Sequence, residues 1–168
     1  PDEVSLAINI TGCPNKCKGC HSPHLMDDTG ELLNTGTLSV LLNKYGHSIS
    51  CVCFMGGDSD PGSVERLSRY VKGITARRIK TAWYSGKNRL PENCSMESFD
   101  YIKLGPYIKE SGGLDSPQTN QRFYKIENGA MIDCTYYFRK KNNMSEDLND
   151  MGSIFKSKET KQPATVFD

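Results

Sequence analysis

The sequence lacks the features that would direct a chain to a membrane or to nucleic acid. It has no run of about 18 apolar residues, the minimum for a membrane-spanning helix. Its charges nearly cancel, with 21 Lys and Arg against 20 Asp and Glu and a formal net charge of +1. This balance provides no broad electrostatic attraction for nucleic acid or for an anionic membrane, so we expect neither as a partner.

The N-terminal residues also lack the pattern of a signal peptide. The chain begins at Pro1 rather than at Met, so we expect an upstream piece to be missing and the first strand to be truncated. The 168 residues suit one domain that can bury a core.

Cysteine is the residue type that the sequence does have in unusual number and position. An odd total of seven cysteines at uneven spacing argues against a disulfide framework. Three of them, Cys13, Cys17 and Cys20, fall within eight residues. This pattern indicates a reducing, cytoplasmic location and a metal site.

Alternating strand and helix patterns predict an α/β fold with a parallel sheet. The predicted strands are 4–10, 49–55, 79–84 and 99–104, the predicted helices are 37–45 and 63–74, and residues 122–126 and 130–138 predict a closing hairpin around 127–129. Thr37 is the expected N-cap of the first helix and Gly46 its stop. The carboxyl ends of parallel strands carry the chemistry in such folds, so the residues that follow these strands should meet on one rim.

The last part of the chain differs in composition from the rest. Residues 140–168 are polar and charged, and their only obvious apolar anchors are Phe155, Val166 and Phe167. We therefore expect a folded domain over residues 1–139 and a largely unfolded tail over 140–168.

The spacing C-x3-C-x2-C lets one short loop turn three thiolates toward the same point. Three thiolates satisfy three irons of a 4Fe-4S cluster and leave the fourth iron open, whereas closed clusters and structural zinc sites take four ligands. The alternatives are plain cysteines in a turn, a zinc site with His21 or His24 as fourth ligand, and c-type haem at 17–21. The haem alternative leaves Cys13 unexplained.

Several segments carry a resemblance to a known family. The cysteine loop after a first strand and a Gly-Gly-acid turn after a second resemble the radical S-adenosylmethionine superfamily. More narrowly, the chain is similar to the activating proteins of anaerobic ribonucleoside-triphosphate reductase over about residues 4–138. This narrower similarity lies in GCPNKCKGCHSP at 12–23, WYSG at 83–86, DYIKLGPY at 100–107 and TNQR at 119–122.

The resemblance implies an incomplete β/α barrel of the TIM type and a radical enzyme. It implies that Cys13, Cys17 and Cys20 hold a 4Fe-4S cluster whose open iron chelates S-adenosylmethionine. An electron from the cluster then cleaves the sulfonium C–S bond to methionine and a 5′-deoxyadenosyl radical, which removes hydrogen from a glycine of the reductase. The implied partners are the glycyl-radical subunit of that reductase and a flavodoxin-like or other electron donor.

The same resemblance implies which residues bind S-adenosylmethionine. Gly56, Gly57 and Asp58 would serve its methionine end, because glycines permit close backbone approach and a carboxylate accepts hydrogen bonds from an amino group. The family commonly has Glu in place of Asp58, and Asp60 is a nearby substitute. Tyr84, Ser85 and Gly86 would line the ribose or adenine pocket. Lys103 and Arg122 could face ligand or partner, but we expect them to be solvated charges.

Four cysteines remain outside the loop. Cys51 and Cys53 lie two apart on a predicted strand, so they face the same side, and we expect them to be buried apolar residues rather than a second metal site. Cys94 and Cys134 have no assigned role. Two other functions compete with the main hypothesis: a radical enzyme that acts on a different glycyl-radical enzyme or a peptide, and a zinc-stabilised binding module without catalysis.

Overall fold

The computed structural model describes residues 2–74 and 78–139. The chain divides into two units, Pro1–Phe138 and Arg139–Asp168. The expectations for residues 140–168, including their three apolar anchors, lie outside the described residues. The fold and the site below belong to the first unit.

The first unit is an α/β structure with one six-stranded sheet. Its strands are β1 Ser5–Ile10, β2 Cys51–Gly56, β3 Lys80–Tyr84, β4 Tyr101–Leu104, β5 Arg122–Glu127 and β6 Ala130–Asp133. Its helices are α1 Thr35–Tyr45 and α2 Pro61–Ile74, with short 3-10 turns at Pro23–Met26, Met96–Ser98 and Thr135–Phe138.

The strands lie side by side in chain order from β1 to β6. Pairings from β1 to β4 are parallel, and β5 and β6 are added in antiparallel pairings. Because β1 to β4 run in the same direction, the loops that follow them emerge at one edge of the sheet. This edge is where the predicted site residues were expected to meet.

The helices cover one face of the sheet. The strand side chains on this face include Val52, Phe54, Trp83 and Ile102, and none is more than 2 % exposed. They form one apolar cluster with Leu38 and Leu42 of α1 and with Val64, Leu67 and Val71 of α2. Burial of this continuous apolar surface is the main force that holds the helices on the sheet.

The opposite face of the sheet carries a smaller cluster built around two cysteines. Cys51 and Cys53 are buried beside Ala82, with Met55 and Tyr84 packed against them. Burial raises the pKa of the Cys51 thiol to about 11 and that of the Cys53 thiol to about 12. Both thiols therefore stay protonated at neutral pH, in accord with the expectation of buried apolar cysteines.

The N-cap prediction for α1 is wrong. The helix begins at Thr35, and its cap is Asn34, whose Oδ1 accepts hydrogen bonds from the backbone N–H of Gly36 at 2.8 Å and of Thr37 at 3.0 Å. Thr37 is the third helical residue, and its hydroxyl accepts a hydrogen bond from the Asn34 N–H at 2.8 Å. The two residues form a reciprocal capping box, which extends the helix by two residues. Gly46 is the C-cap, as predicted.

The closing hairpin forms, but its second strand is shorter than the predicted 130–138. Asn128 and Gly129 supply the two positive φ angles, 51° and 73°, of a two-residue hairpin turn. β6 stops at Asp133 because its carboxylate accepts hydrogen bonds from the Thr135 N–H and hydroxyl, at 2.8 and 2.6 Å. These bonds turn the chain into the 3-10 segment that follows.

No helix in the described ranges is both long enough and apolar enough to cross a bilayer.

Removal of the helix cap provides a test of the fold. We expect Asn34→Ala to lower the free energy of unfolding by about 1 kcal/mol, because the N–H groups of Gly36 and Thr37 lose their acceptor. Asn43→Ala, at an exposed position of the same helix, is the matched control and should change stability by less than about 0.5 kcal/mol. Urea unfolding measures both, and equal losses in the two variants would contradict the assignment.

Candidate functional site

A cavity of about 320 Å³ opens at the carboxyl edge of the parallel strands. Its wall comes from four consecutive segments that follow or end β1, β2, β3 and β4. The lining side chains include Cys13, Asn15, Cys17, Cys20 and His21 from the first segment, Met55 and Asp58 from the second, Tyr84 and Ser85 from the third, and Lys103 and Tyr107 from the fourth. The fold thus gathers most of the predicted site residues around one space.

The cysteine loop, residues 11–22, forms one side of the cavity. Its three cysteines are free thiols and partly exposed. The loop turns sharply between Cys13 and Cys17, where Lys16 adopts a left-handed φ of 46°. Behind the turn, the Cys13 N–H donates to the Leu25 carbonyl at 2.9 Å, which holds the loop against the chain that follows it.

Two N–H groups of the loop point at its sulfurs. Asn15 Nδ2 lies 3.7 Å from Cys13 Sγ, and the Ser22 backbone N–H donates to Cys20 Sγ over 3.4 Å. Such N–H donors are among the features that tune thiolate-bound iron–sulfur clusters.

The metal-binding capacity of the loop can be tested from its donors. Within residues 2–74 and 78–139, no three His, Cys, Asp or Glu side chains lie together as ligands of a single metal ion. A structural zinc site takes four ligands, and the thiols of the loop supply three. The sulfurs of a cluster bind different irons, so three free, partly exposed thiols on one cavity wall fit that group in their chemistry.

The two histidines of the zinc alternative lie in different surroundings. His21 lines the cavity, and its ring makes an edge contact with the Tyr107 ring at 5.0 Å. His24 is exposed in the 3-10 turn and does not line the cavity.

Asp58 is the most connected acceptor of the site and is only 7 % exposed. Its Oδ1 accepts from the Ser85 hydroxyl at 2.6 Å. Its Oδ2 accepts from the Gly86 N–H at 2.8 Å and from Asn15 Nδ2 at 2.5 Å. A carboxylate offers about four lone-pair positions, so Oδ1 retains one for a further donor.

Asp60, the suggested substitute for Asp58, faces away from the site. It is exposed, and its carboxylate accepts from the N–H and the hydroxyl of Ser63, at 3.0 and 2.5 Å. These bonds to Ser63 lower the pKa of Asp60 and secure the first turn of α2. The structure therefore assigns Asp60 to the helix and leaves Asp58 as the cavity carboxylate.

The two glycines before Asp58 have different positions. Gly56 lines the cavity, whereas Gly57 lies beside it, against α2. Gly57 has a φ of +83°, and a Cβ there would come within 2.4 Å of Val64 Cγ2. Gly57 therefore allows the turn and the close packing of the helix, and the structure does not bring it to the cavity.

The predicted residues at the end of β3 all reach the cavity wall, but their polar groups are not equally available. The Ser85 hydroxyl donates to Asp58 and accepts from the Lys87 N–H at 3.0 Å, so its bonds are made within the protein. Tyr84 packs beside Cys53 and Met55, and burial raises its pKa.

Lys103, for which the sequence favoured a solvated charge over a group that faces a ligand, belongs to the site. It was expected to be solvated, but it is 7 % exposed and lines the cavity. Its Nζ donates to the carbonyls of Ser85 at 3.3 Å and Gly105 at 2.5 Å. Burial lowers its pKa to about 8, against the opposing effects of Asp58 and Cys17. Its position in the sequence could have indicated this role. Lys103 is the last residue of β4 that points to the same sheet face as Tyr101, and β4 lies next to β3, whose end carries Ser85.

Arg122 behaves as expected. It is exposed, it does not line the cavity, and its guanidinium donates to the carbonyls of Thr119 and Gln121 at 2.7 and 2.8 Å.

Comparison of the chain with family models, with curated proteins and with solved structures found no match.

The buried lysine predicts a pH dependence of stability in the metal-free protein. Its pKa is about 8 in the folded chain and about 10.4 in an unfolded one. Between these values the unfolded chain binds more protons, so rising pH favours the folded state. We expect wild type to gain stability relative to Lys103→Met between pH 8 and pH 10.4.

Urea unfolding of both variants and of wild type across this pH range measures the difference. The matched control, Lys18→Met at an exposed loop position, should give a difference that stays flat. A flat or falling difference for Lys103→Met would contradict the burial of its ammonium group.

Proposed function

We propose that this chain is a radical S-adenosylmethionine enzyme that activates a glycyl-radical enzyme, the anaerobic ribonucleotide reductase. One observation carries the proposal: three free cysteines of one loop share a single cavity with the carboxyl ends of the next three strands. Cys13, Cys17 and Cys20 would hold the 4Fe-4S cluster, and S-adenosylmethionine would occupy the rest of the cavity.

The cluster supplies the electron that cleaves S-adenosylmethionine to methionine and a 5′-deoxyadenosyl radical, while the protein binds, orients and excludes water. At the methionine end, the remaining lone pair of Asp58 Oδ1 is available to an amino group. Gly56 contributes backbone without a side chain to the same part of the wall. The Tyr84 ring and the backbone of Ser85 and Gly86 would form the wall of the ribose or adenine pocket.

Lys103 adds a positive charge to this wall. Its ammonium group has three protons, and two of them are directed at the carbonyls of Ser85 and Gly105. The third N–H can donate a hydrogen bond to the carboxylate of S-adenosylmethionine. A bound anion would in turn favour the protonated form of the lysine. Asp58 would thus bind the amino group of S-adenosylmethionine, and Lys103 would bind its carboxylate.

The proposed fold is an incomplete β/α barrel whose helices lie outside. Along the edge strand β1, the residues Ser5, Ala7 and Asn9 alternate as exposed positions, and Asn9 lines the cavity. This open side suits a macromolecular substrate, because a glycine-bearing loop of the reductase must reach the deoxyadenosyl carbon. A flavodoxin-like or other donor would supply the electron, and seven free thiols fit a reducing cytoplasm.

Anaerobic metal analysis tests the cofactor. We expect about four irons and four sulfides per chain with a brown chromophore, as a 4Fe-4S cluster requires. Cys17→Ala should lose both the cluster and the cleavage of S-adenosylmethionine, because one iron loses its thiolate. Cys94→Ala, at a partly buried cysteine outside the loop, is the matched control and should retain them. One zinc per chain and no iron would overturn the proposal in favour of a zinc-stabilised binding module.

A second experiment tests the partner. We expect the reduced enzyme with S-adenosylmethionine to generate a glycyl radical, visible by electron paramagnetic resonance, in the anaerobic ribonucleotide reductase. The control is a reductase in which the target glycine is replaced by alanine. If S-adenosylmethionine is cleaved but the reductase shows no glycyl-radical signal, the proposed partner is wrong. The substrate is then a different glycyl-radical enzyme or a peptide.

A further inference from the structure

Asn15 lies inside the cysteine loop, two residues from Cys13 and two from Cys17, and its amide makes two contacts. Nδ2 lies 2.5 Å from Asp58 Oδ2 and 3.7 Å from Cys13 Sγ. An amide nitrogen carries two protons, so one N–H can be directed at each acceptor. Asn15 therefore connects a cysteine of the loop to the buried carboxylate at the end of β2.

The end of β3 is shaped to receive this amide. A Cβ added to Gly86 would lie 2.3 Å from Asn15 Nδ2 and 3.0 Å from Asn15 Cγ. The Gly86 N–H also donates to the same Asp58 oxygen as Asn15 does, at 2.8 Å. The absence of a side chain at Gly86 thus leaves the space in which the Asn15 amide rests.

The loop makes few other polar contacts with the sheet among the described hydrogen bonds. The backbone bonds of Gly12 and Cys13 go to Asp27 and Leu25, which belong to the segment directly after the loop. Those bonds shape the loop, but they do not connect it to β2 or β3. The hydrogen bond from Asn15 to Asp58 spans 43 residues of chain and connects the loop to the segment that follows β2.

We propose that Asn15 is a positioning residue: its side-chain amide, seated on Gly86, ties the cysteine loop to Asp58 and donates an N–H to the Cys13 sulfur. The first contact fixes the loop over the cavity. The second stabilises negative charge on that sulfur, and so raises the reduction potential of a cluster bound there. Only this second consequence rests on the proposed function, because the tether is a property of the metal-free chain.

Hydrogen exchange on the metal-free protein tests the tether. We expect Asn15→Ala to speed amide exchange in peptides that cover residues 12–20 by about tenfold, because the loop opens locally more often. Peptides from β2 and β3 should exchange as in wild type. Lys18→Ala, at an exposed position of the same loop, is the matched control and should leave all rates unchanged. Unchanged exchange in Asn15→Ala would overturn the proposal.

Gly86→Ala provides a second variant that retains Asn15. The new methyl group occupies the place of the Asn15 amide and lies 3.3 Å from Asp58 Oδ2, so this variant should reproduce the faster exchange of the loop. In the Asn15→Ala background, Gly86→Ala should raise the exchange rate of residues 12–20 by less than a further factor of two, because the Asn15 amide that it displaces is already absent. Independent, additive effects of the two substitutions would contradict a shared contact.

The cluster-loaded protein tests the contact with sulfur. We expect a more negative midpoint potential in Asn15→Ala than in Lys18→Ala, from a titration followed by electron paramagnetic resonance. Equal potentials would overturn the proposed bond to Cys13. If no variant and no wild-type sample takes up iron, the proposed function fails, while the exchange rates still decide whether Asn15 is the tether.

Discussion

The buried carboxylate of Asp58 joins three segments that are far apart in the chain. It accepts hydrogen bonds from the side chain of Asn15, from the hydroxyl of Ser85 and from the backbone of Gly86. Burial of a carboxylate costs free energy unless hydrogen-bond donors surround it. The burial of Asp58 is therefore favourable only when the cysteine loop and the end of β3 lie against the segment that follows β2. The cavity depends on this contact, since its walls are the cysteine loop and the ends of β2 and β3.

The two faces of the sheet differ in composition and in what they contact. One face is apolar and carries the helices, so its residues are determined by packing. The other face carries small and sulfur-containing side chains, Cys51, Cys53 and Ala82, and ends at the cavity with Met55, Tyr84 and Lys103. The helices thereby stabilise the strands without covering the edge where the site lies. A lysine can remain on this second face because two carbonyl groups accept its hydrogen bonds.

The differences between expectation and structure come from polar contacts that residue type alone does not specify. Thr37 is a reasonable cap by residue type, but Asn34 caps the helix because its side chain reaches two N–H groups. Asp60 is two residues from Asp58 in the chain, yet it bonds to the first turn of α2. Lys103 has the usual residue type of a solvated position, yet it is buried at a strand end. The deciding partner lies within three residues for Asn34 and for Asp60, whereas for Lys103 it lies at the end of the neighbouring strand.

The sequence by itself determined the order of strands and helices, the closing hairpin and the cysteine loop, because periodicity, turn residues and spacing are local properties. It also predicted that the loop and the strand ends would share one rim, because parallel strands end at the same edge. Only the tertiary structure decided which polar groups remain free at that rim. Asp58 keeps one acceptor position, the Ser85 hydroxyl directs its single proton at Asp58, Gly57 faces a helix, and Asn15 bridges two segments. The contacts of Asp58 with Ser85 and with Asn15 join residues 27 and 43 positions apart, which the local pattern does not specify.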